Sequence, residues 1–284
     1  MMHAEAITPH LDIPCGALVL ELGSGHRPHP RADVLTDKYL DDFERGGHLV
    51  MDRPFVQADA QQLPFKPKVF DYVICRHVLE HVEDPETFFH EISRVGRAGY
   101  IEAPSVIWEY LHPTRTYHRW VVLEIDGELV VVHKPANGAQ PLFGCLFETL
   151  NANSPEYRLF VRRYANLFYV RHRWRASLKY CVEPVDDERR AWFVEPWDSA
   201  RVARFAPPCS QGRQVRDLLV GVLGSVCGGL RRSLNWLSLP ARHRPIDLAA
   251  LMQCPVCSWQ NVQIGVRQAT CSKCGWHTVV VLAE

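Results

Sequence analysis

Short apolar runs separated by polar turns dominate the first third of the chain. The runs Ala17 to Leu22, Asp33 to Thr36, Phe55 to Ala58, Phe70 to Cys75 and Tyr100 to Ala103 predict five strands. Between the last two, "EDPETFFHEISRVGR" predicts a helix. Asp84 is its N-cap, Pro85 takes the first helical position, Phe88, Ile92 and Val95 share one face, and Gly96 is the stop. Strands that are apolar throughout and joined by such crossovers fit a parallel sheet covered on both faces, the α/β class. One connection breaks the pattern. In "ELGSGHRPHPRADVLTDKY" two prolines, Pro28 and Pro30, follow the glycines, and the next apolar run starts at Asp33. The stretch from His26 to Ala32 is too short and too stiff for a helical crossover of about a dozen residues.

Beyond residue 105 the pattern changes. "RWVVLEIDGELVVVHK" predicts a hairpin turning at Asp126-Gly127, and its expected place is the final antiparallel pair of the main sheet. Next, "PEYRLFVRRYANLFYVRHRWR" interleaves six arginines with Tyr157, Phe160, Tyr164, Phe168, Tyr169 and Trp174. Two readings stand: a surface that binds phosphates and stacks bases or sugars, or buried aromatics with a solvated arginine face. Residues 199–245 read as a linker holding one apolar helix, whose span 214–238 can pack on protein or lie at a membrane surface.

With 284 residues, 47% hydrophobic and 23% charged, the chain can bury a full-sized core and carry a smaller second module. The apolar stretch Leu218 to Leu230 is 13 residues, short of the roughly 20 that span a bilayer. No basic segment followed by an apolar core opens the chain, so no signal peptide is expected. Ten cysteines, four of them in two CxxC pairs, then point to thiolate metal binding in a reducing, cytoplasmic setting. Net charge is zero but uneven. Residues 1–105 carry 10 Lys+Arg against 17 Asp+Glu, and the remainder 22 against 15.

In parallel sheets ligands bind beyond the carboxyl ends of the strands. Here those positions are mostly polar or glycine: Glu21, Gly23, Ser24 and Gly25 at the first strand, Asp37 at the second, Asp59 at the third, Arg76 and His77 at the fourth. Glycines let the backbone approach a ligand, and a carboxylate after the second strand can accept from both ribose hydroxyls. A carboxylate after the third can accept from an adenine amino group. A dinucleotide fingerprint would need a third glycine at position 28 and a helix N-terminus for the pyrophosphate; the residue there is Pro28. The ligand implied bears adenosine without phosphates.

The segments "VLELGSG", "ADAQQLPFKPKVFDYVICRHVLEHVEDPETFFHEISRV" and "GYIEAPS" resemble the class I S-adenosylmethionine-dependent methyltransferases, in particular the type-11 methyltransferase family, over about residues 15 to 105. The resemblance implies a Rossmann-like sheet. It implies that Glu21, Gly23 and Gly25 hold the methionine part, Asp37 the ribose and Asp59 with Ala60 the adenine, while Arg76 and His77 line the methyl-transfer face. Arg27 or Arg31 is expected to pair with the cofactor carboxylate in place of helix amides. A hydroxyl or amine acceptor also needs a proton acceptor, and the candidates are His77, His81 and His118, with Glu80 beside them. Capping for His81 and an ordinary surface position for His118 are the plainer alternatives.

In the tail, Cys254 and Cys257, then Cys271 and Cys274 after thirteen intervening residues, have the spacing of two knuckles around one zinc. Four thiolates leave no open position, so the metal is expected to be structural, with His277 outside the ligand set. The tail "IDLAALMQCPVCSWQNVQIGVRQATCSKCGWHTVVV" also resembles the small zinc ribbons that activate RNA and protein methyltransferases in trans, with Ser258 where a glycine is usual. The expected organisation is a methyltransferase domain 1–198 (core 15–105, additions 106–198), the linker 199–245 and a zinc ribbon 246–284. The expected activity is methyl transfer from S-adenosylmethionine to a small-molecule or glycan-type acceptor. An RNA or translation-factor substrate is one alternative, and a cofactor-binding scaffold without turnover is the other.

Overall fold

The computed structural model describes residues 11–41, 46–112, 115–134, 145–206 and 245–282. Strands β1 (Val19–Leu22), β2 (Val34–Asp37), β3 (Phe55–Gln57), β4 (Tyr72–Arg76) and β5 (Ala98–Pro104) form a parallel core in the order β3-β2-β1-β4-β5. Leu20 pairs with Val34 on one side of β1 and with Val73 on the other. The strand order therefore reverses beside β1, which opens a crevice at the carboxyl ends of β1 and β4. β1 and β5 are buried along their whole length, each a largely apolar run interrupted by one buried glutamate, Glu21 and Glu102. Helix α1 (Pro85–Val95) starts where expected: the Asp84 carboxylate accepts from the amides of Glu86 and Thr87 at 2.9 and 3.1 Å. Its buried face carries Phe88, Phe89, Ile92 and Val95, and Gly96 ends it.

The hairpin forms as predicted, β6 (Trp120–Ile125) and β7 (Glu128–His133), with Asp126 and Gly127 both at positive φ. It does not join the main sheet. With β9 (Tyr180–Val182) it builds a separate three-stranded sheet. Its composition explains this, because the hairpin is apolar on both faces. Val122, Leu129 and Val131 enter the main core, while Val121, Leu123 and Val130 pack under Trp192 and Phe193 of a helix at Asp187–Val194.

The arginine-rich segment supplies the edge strand instead. After helices α2 (Val106–Leu111), α3 (Leu146–Asn153), α4 (Pro155–Arg163) and α5 (Ala165–Phe168), strand β8 (Tyr169–Arg175) runs antiparallel along β5 from Pro104↔Tyr169 to Ala98↔Arg175. Val170, His172 and Trp174 are buried while Arg171, Arg173 and Arg175 alternate onto the other face. In β8 the aromatics are buried opposite the arginines, as in the second of the two readings, whereas Phe160 of α4 is 47% exposed. Helices α6 (Asp187–Val194) and α7 (Ser199–Phe205) follow. The apolar span 214–238 lies outside the described residues, and among those described no helix is long and apolar enough to cross a membrane.

The cysteine-bearing tail is continuous with the main sheet. After helix α8 (Leu248–Leu251), strands β10 (Val262–Ile264), β11 (Gln268–Cys271) and β12 (His277–Val281) extend it to β10-β11-β12-β3-β2-β1-β4-β5-β8. β12 pairs antiparallel with β3 through Val280↔Val56 and Val281↔Phe55. Met252 bridges Phe65, and the Lys66 amide donates to Leu251 O at 2.9 Å. Leu251, Met252, Cys254, Cys271 and Val280 share one hydrophobic cluster with Leu20, Val56 and Phe65.

Candidate active site and cysteine cluster

The glycine loop follows β1. Gly23 and Gly25 sit at φ +61° and +56°, a region that other residues enter at a cost. A Cβ on Gly23 would lie 2.3 Å from Val78 Cγ2, so the loop packs directly against the segment after β4. Ser24 is buried and its amide donates to Thr36 O. Asp37, at the end of β2, accepts from the amides of Gly25 and Tyr39, both at 3.2 Å. Asp59 pairs with Lys38 at 2.7 Å and accepts from Gln61 N at 2.9 Å, with Ala60 half-buried beside it. Burial opposes the charge of Asp59, but Lys38 and Gln61 outweigh it and hold its carboxyl below the usual range.

The connector from β1 to β2 has no helix, as the prolines predict, and three side chains replace one. Glu21, 1% exposed, accepts from the His29 amide at 2.5 Å and from Arg76 at 2.7 Å. Arg53 donates to the carbonyls of His29 and Ala32 at 3.2 and 3.0 Å. Backbone groups that a helix would have paired internally are paired here by buried charges. Burial raises the Glu21 carboxyl despite the neighbouring Arg76, and it lowers His29 to about 4, with Arg76, Arg31 and Arg53 adding to the effect. Residues 46–50 lie against the loop, with Val50 N donating to Gly25 O and Gly47 set against His26. Arg27 is exposed and gives its carbonyl to Arg76, while Arg31 reaches back to Pro14 O at 3.1 Å.

A second group of polar side chains gathers beyond β4 and β5. His77 sits at φ +56°, uncommon for a side chain with a Cβ. Its Nδ1 lies 3.4 Å from Glu80 Oε1 and its Nε2 3.7 Å from Glu102 Oε1. Burial disfavours its charge, but these two carboxylates overcome that and raise its pKa. Glu80 lies in a 3₁₀ turn, Leu79–His81. His81 stacks on Tyr117 and meets His118 edge-on at 4.7 Å between ring centres. His118 is buried, not on the surface. Its Nδ1 lies 2.5 Å from Glu109 Oε1, whose other oxygen accepts from Lys134 at 2.6 Å. Glu102 accepts from Tyr100 at 2.6 Å and Arg171 at 3.1 Å.

The structure thus brings His77, His81 and His118 together and adds Glu102, Glu109 and Lys134, which sequence reasoning missed. Only Glu102 left a signal there, as an acid inside the apolar run "GYIEAPS". Glu109 and Lys134 reach the group through α2 and the end of the hairpin, and their spacing in sequence carries no information about this meeting.

The four tail cysteines converge. Cys254 and Cys274 Sγ are 3.5 Å apart, Cys257 and Cys271 Sγ 3.6 Å, and all four lie within 4.8 Å of one another. Four thiolates about 2.3 Å from one zinc would stand about 3.8 Å apart at tetrahedral angles, so the donor set fits that ion. Amides of Val256 and Cys257 point at Cys254 Sγ, and those of Lys273 and Cys274 at Cys271 Sγ. Ser258 adopts φ +56° where Gly275 of the second knuckle has +77°, so the first knuckle closes despite its side chain. His277 is exposed, with Nδ1 toward Gly275 O.

Residues 39–101 match the profile of a family described as "Methyltransferase domain". The matched stretch runs from just after β2 into β5, so it holds Asp59, Arg76, His77 and Glu80 but not the glycine loop. The chain is 43% identical over 58 residues to norajmaline N-methyltransferase of Rauvolfia serpentina, covering 20% of this chain and 19% of that one. It is 36% identical over 73 residues to the ubiquinone/menaquinone biosynthesis C-methyltransferase of Xylella fastidiosa strain M12, covering 24% and 29%. The chain spans less than a third of the length of these curated relatives. A solved structure, Haemonchus contortus phosphoethanolamine N-methyltransferase 2 in complex with S-adenosyl-L-methionine, aligns at 19% identity over 33% of this chain and 25% of that one, with a TM-score of 0.27. The parallel sheet with its switch point beside β1 is a Rossmann-like methyltransferase architecture.

Proposed function

We propose that the chain transfers a methyl group from S-adenosylmethionine to a small-molecule or glycan-type acceptor. The observation that carries this is the methyltransferase-domain match across residues 39–101, set in a sheet whose strand ends are lined by Asp37, Asp59 and the glycine loop. Gly23, Ser24 and Gly25 take the methionine portion, with Glu21 and Arg76 holding the loop's shape from behind. Asp37 takes the ribose hydroxyls, and Asp59 with Ala60 the adenine. Arg27 is the guanidinium left near the carboxylate end, Arg31 being directed to Pro14. The cofactor supplies an already activated methyl on sulfur. The chain's own task is to align the acceptor and receive its proton, and His77, half-exposed between Glu80 and Glu102, is placed to do so.

Against an RNA acceptor stand the positions of the arginines: Arg171 pairs with Glu102 and Arg173 lies over the Tyr100 ring, so both serve the fold. Labelled methyl transfer into cell extracts, followed by separation of small-molecule, glycan, lipid, protein and RNA fractions, tests the reading. Label is expected in the small-molecule or glycan fraction and is expected to disappear with Asp37→Ala. Label confined to RNA overturns the acceptor class. S-adenosylhomocysteine binding without label in any fraction leaves the scaffold reading, and no binding removes both. We further propose that Cys254, Cys257, Cys271 and Cys274 hold one structural zinc, a reading supported by their Sγ separations.

A further inference from the structure

Glu21, Glu80, Glu102 and Glu109 are each no more than 2% exposed. A buried carboxylate is expensive unless it is paired and hydrogen-bonded. Three of the four meet that condition with a permanent cation: Glu21 with Arg76 at 2.7 Å, Glu102 with Arg171 at 3.1 Å and Glu109 with Lys134 at 2.6 Å. Glu80 does not. Among the described residues neither of its buried carboxylate oxygens has a hydrogen-bond partner, and the groups that face it are imidazoles: His77 at 3.4 Å, His81 Nε2 at 3.9 Å and the ring of His118.

One oxygen of Glu80 and one nitrogen each of His81 and His118 lie within 4.8 Å of one another. His118 Nδ1 is held by Glu109, so Nε2 is the nitrogen it can offer. That arrangement, a carboxylate orienting a histidine whose far nitrogen faces a cluster, is how metal-binding histidines are fixed in tautomer and direction. Lys134 fixes Glu109 in turn. The strand-side partners are equally anchored, with the Arg119 amide on Glu80 O and Trp120 Nε1 on Val82 O. Two imidazoles and one carboxylate are a donor set for a divalent first-row transition metal, with coordination positions left over for water or a substrate oxygen.

We propose that Glu80, His81 and His118 bind a divalent transition metal, with Glu109 and Lys134 as positioning residues. The site is separate from the four-cysteine cluster and opposite to it in chemistry. If the methyl-transfer reading above holds, the same ion can ligate a hydroxyl of the acceptor beside His77, which narrows that acceptor to an oxygen nucleophile.

Manganese separates the two metal sites, since Mn²⁺ suits carboxylate and imidazole and is disfavoured by four thiolates. Full-length protein treated with a mild chelator is titrated with Mn²⁺, free ion being counted by electron paramagnetic resonance, with no methyl donor present. One Mn²⁺ per chain is expected. Affinity should fall at least tenfold in Glu80→Gln and in the half-exposed His81→Ala, about 10- to 100-fold in Glu109→Gln, and remain unchanged in Cys271→Ser. A thermal-melt gain with Mn²⁺ in the parent but not in folded His81→Ala supplies a second readout. Absence of Mn²⁺, Co²⁺ and Zn²⁺ binding beyond the cysteine site overturns the proposal, as does equal binding by parent and His81→Ala. Metal binding without methyl transfer leaves the site standing and removes the methyltransferase reading instead.

Discussion

Two single residues carry testable consequences. Gly23 combines a positive φ with a neighbour, Val78 Cγ2, 2.3 Å from where a Cβ would be. Gly16 has φ +76° with no described residue within 4 Å of a Cβ placed there, so it isolates the backbone contribution, about 1 kcal/mol for an L-residue. Gly23→Ala is expected to weaken S-adenosylhomocysteine binding at least tenfold by calorimetry, and Gly16→Ala to leave it unchanged; equal effects would mean the Val78 contact is unimportant. His29 carries a pH effect. Its pKa is about 4 in the folded chain against an ordinary 6.5, so between those values the unfolded chain takes up a proton that the folded chain does not. Stability therefore rises with pH across that window and is lost on acidification, by on the order of 3 kcal/mol if the whole gap is realised. Urea midpoints at pH 7 and 4.5 should differ less in His29→Asn than in the parent.

Among the elements, those buried on both faces were the most legible. β1, β4 and β5 are mainly apolar runs, each with a single charged residue, and α1 carries its cap, its proline and its stop in the sequence. Hydrophobic pattern specifies that a segment is a strand and which face is buried, but not its partner. That is why the hairpin was found and its sheet was not. The edge strand, β8, alternates buried residues with arginines, and that arginine content is equally what a binding surface would carry. The candidate site divides in the same way. Strand-end positions located Asp37, Asp59 and His77, whereas Glu109, His118 and Lys134 come from α2, a loop and the end of β7, and only folding brings them together. The β11–β12 knuckle also belongs at this scale. If the proposed zinc is bound, Cys271→Ser is expected to release it, measured by elemental analysis, and to raise amide exchange across Phe55–Gln57 by at least tenfold through loss of β12, while β1 and β4 stay protected. Unchanged exchange in β3 would show that β12 holds without the metal.

For the whole molecule, the main lesson is that the tail is part of the sheet. A detachable zinc module would leave the remainder indifferent to its loss. Here Val280, Met252 and Leu251 close the same cluster that contains Val56 and Phe65, and Thr278 donates to Gln57 O at 2.6 Å. Removing residues 246–284 should expose the β3 edge and its apolar neighbours, an arrangement that favours aggregation. Expected results are a melting temperature at least 10 °C lower and a loss of monomer by size-exclusion chromatography. A truncated chain that stays monomeric with an unchanged melt would show that the tail is an accessory.

The pairing of β12 with β3 also sets an order of events during synthesis. Thr278 and Gln57 are 221 positions apart, so the strand that carries the proposed adenine-binding end of the site waits for a partner made that much later. Until β12 leaves the ribosome, β3 lacks its partner on that edge, and pairing across so long a separation is slow to form. Completion of the sheet beside the proposed cofactor pocket is thereby tied to synthesis of β12: a chain stopped before residue 277 would carry the residues of the methyltransferase-domain match without the strand that seals β3.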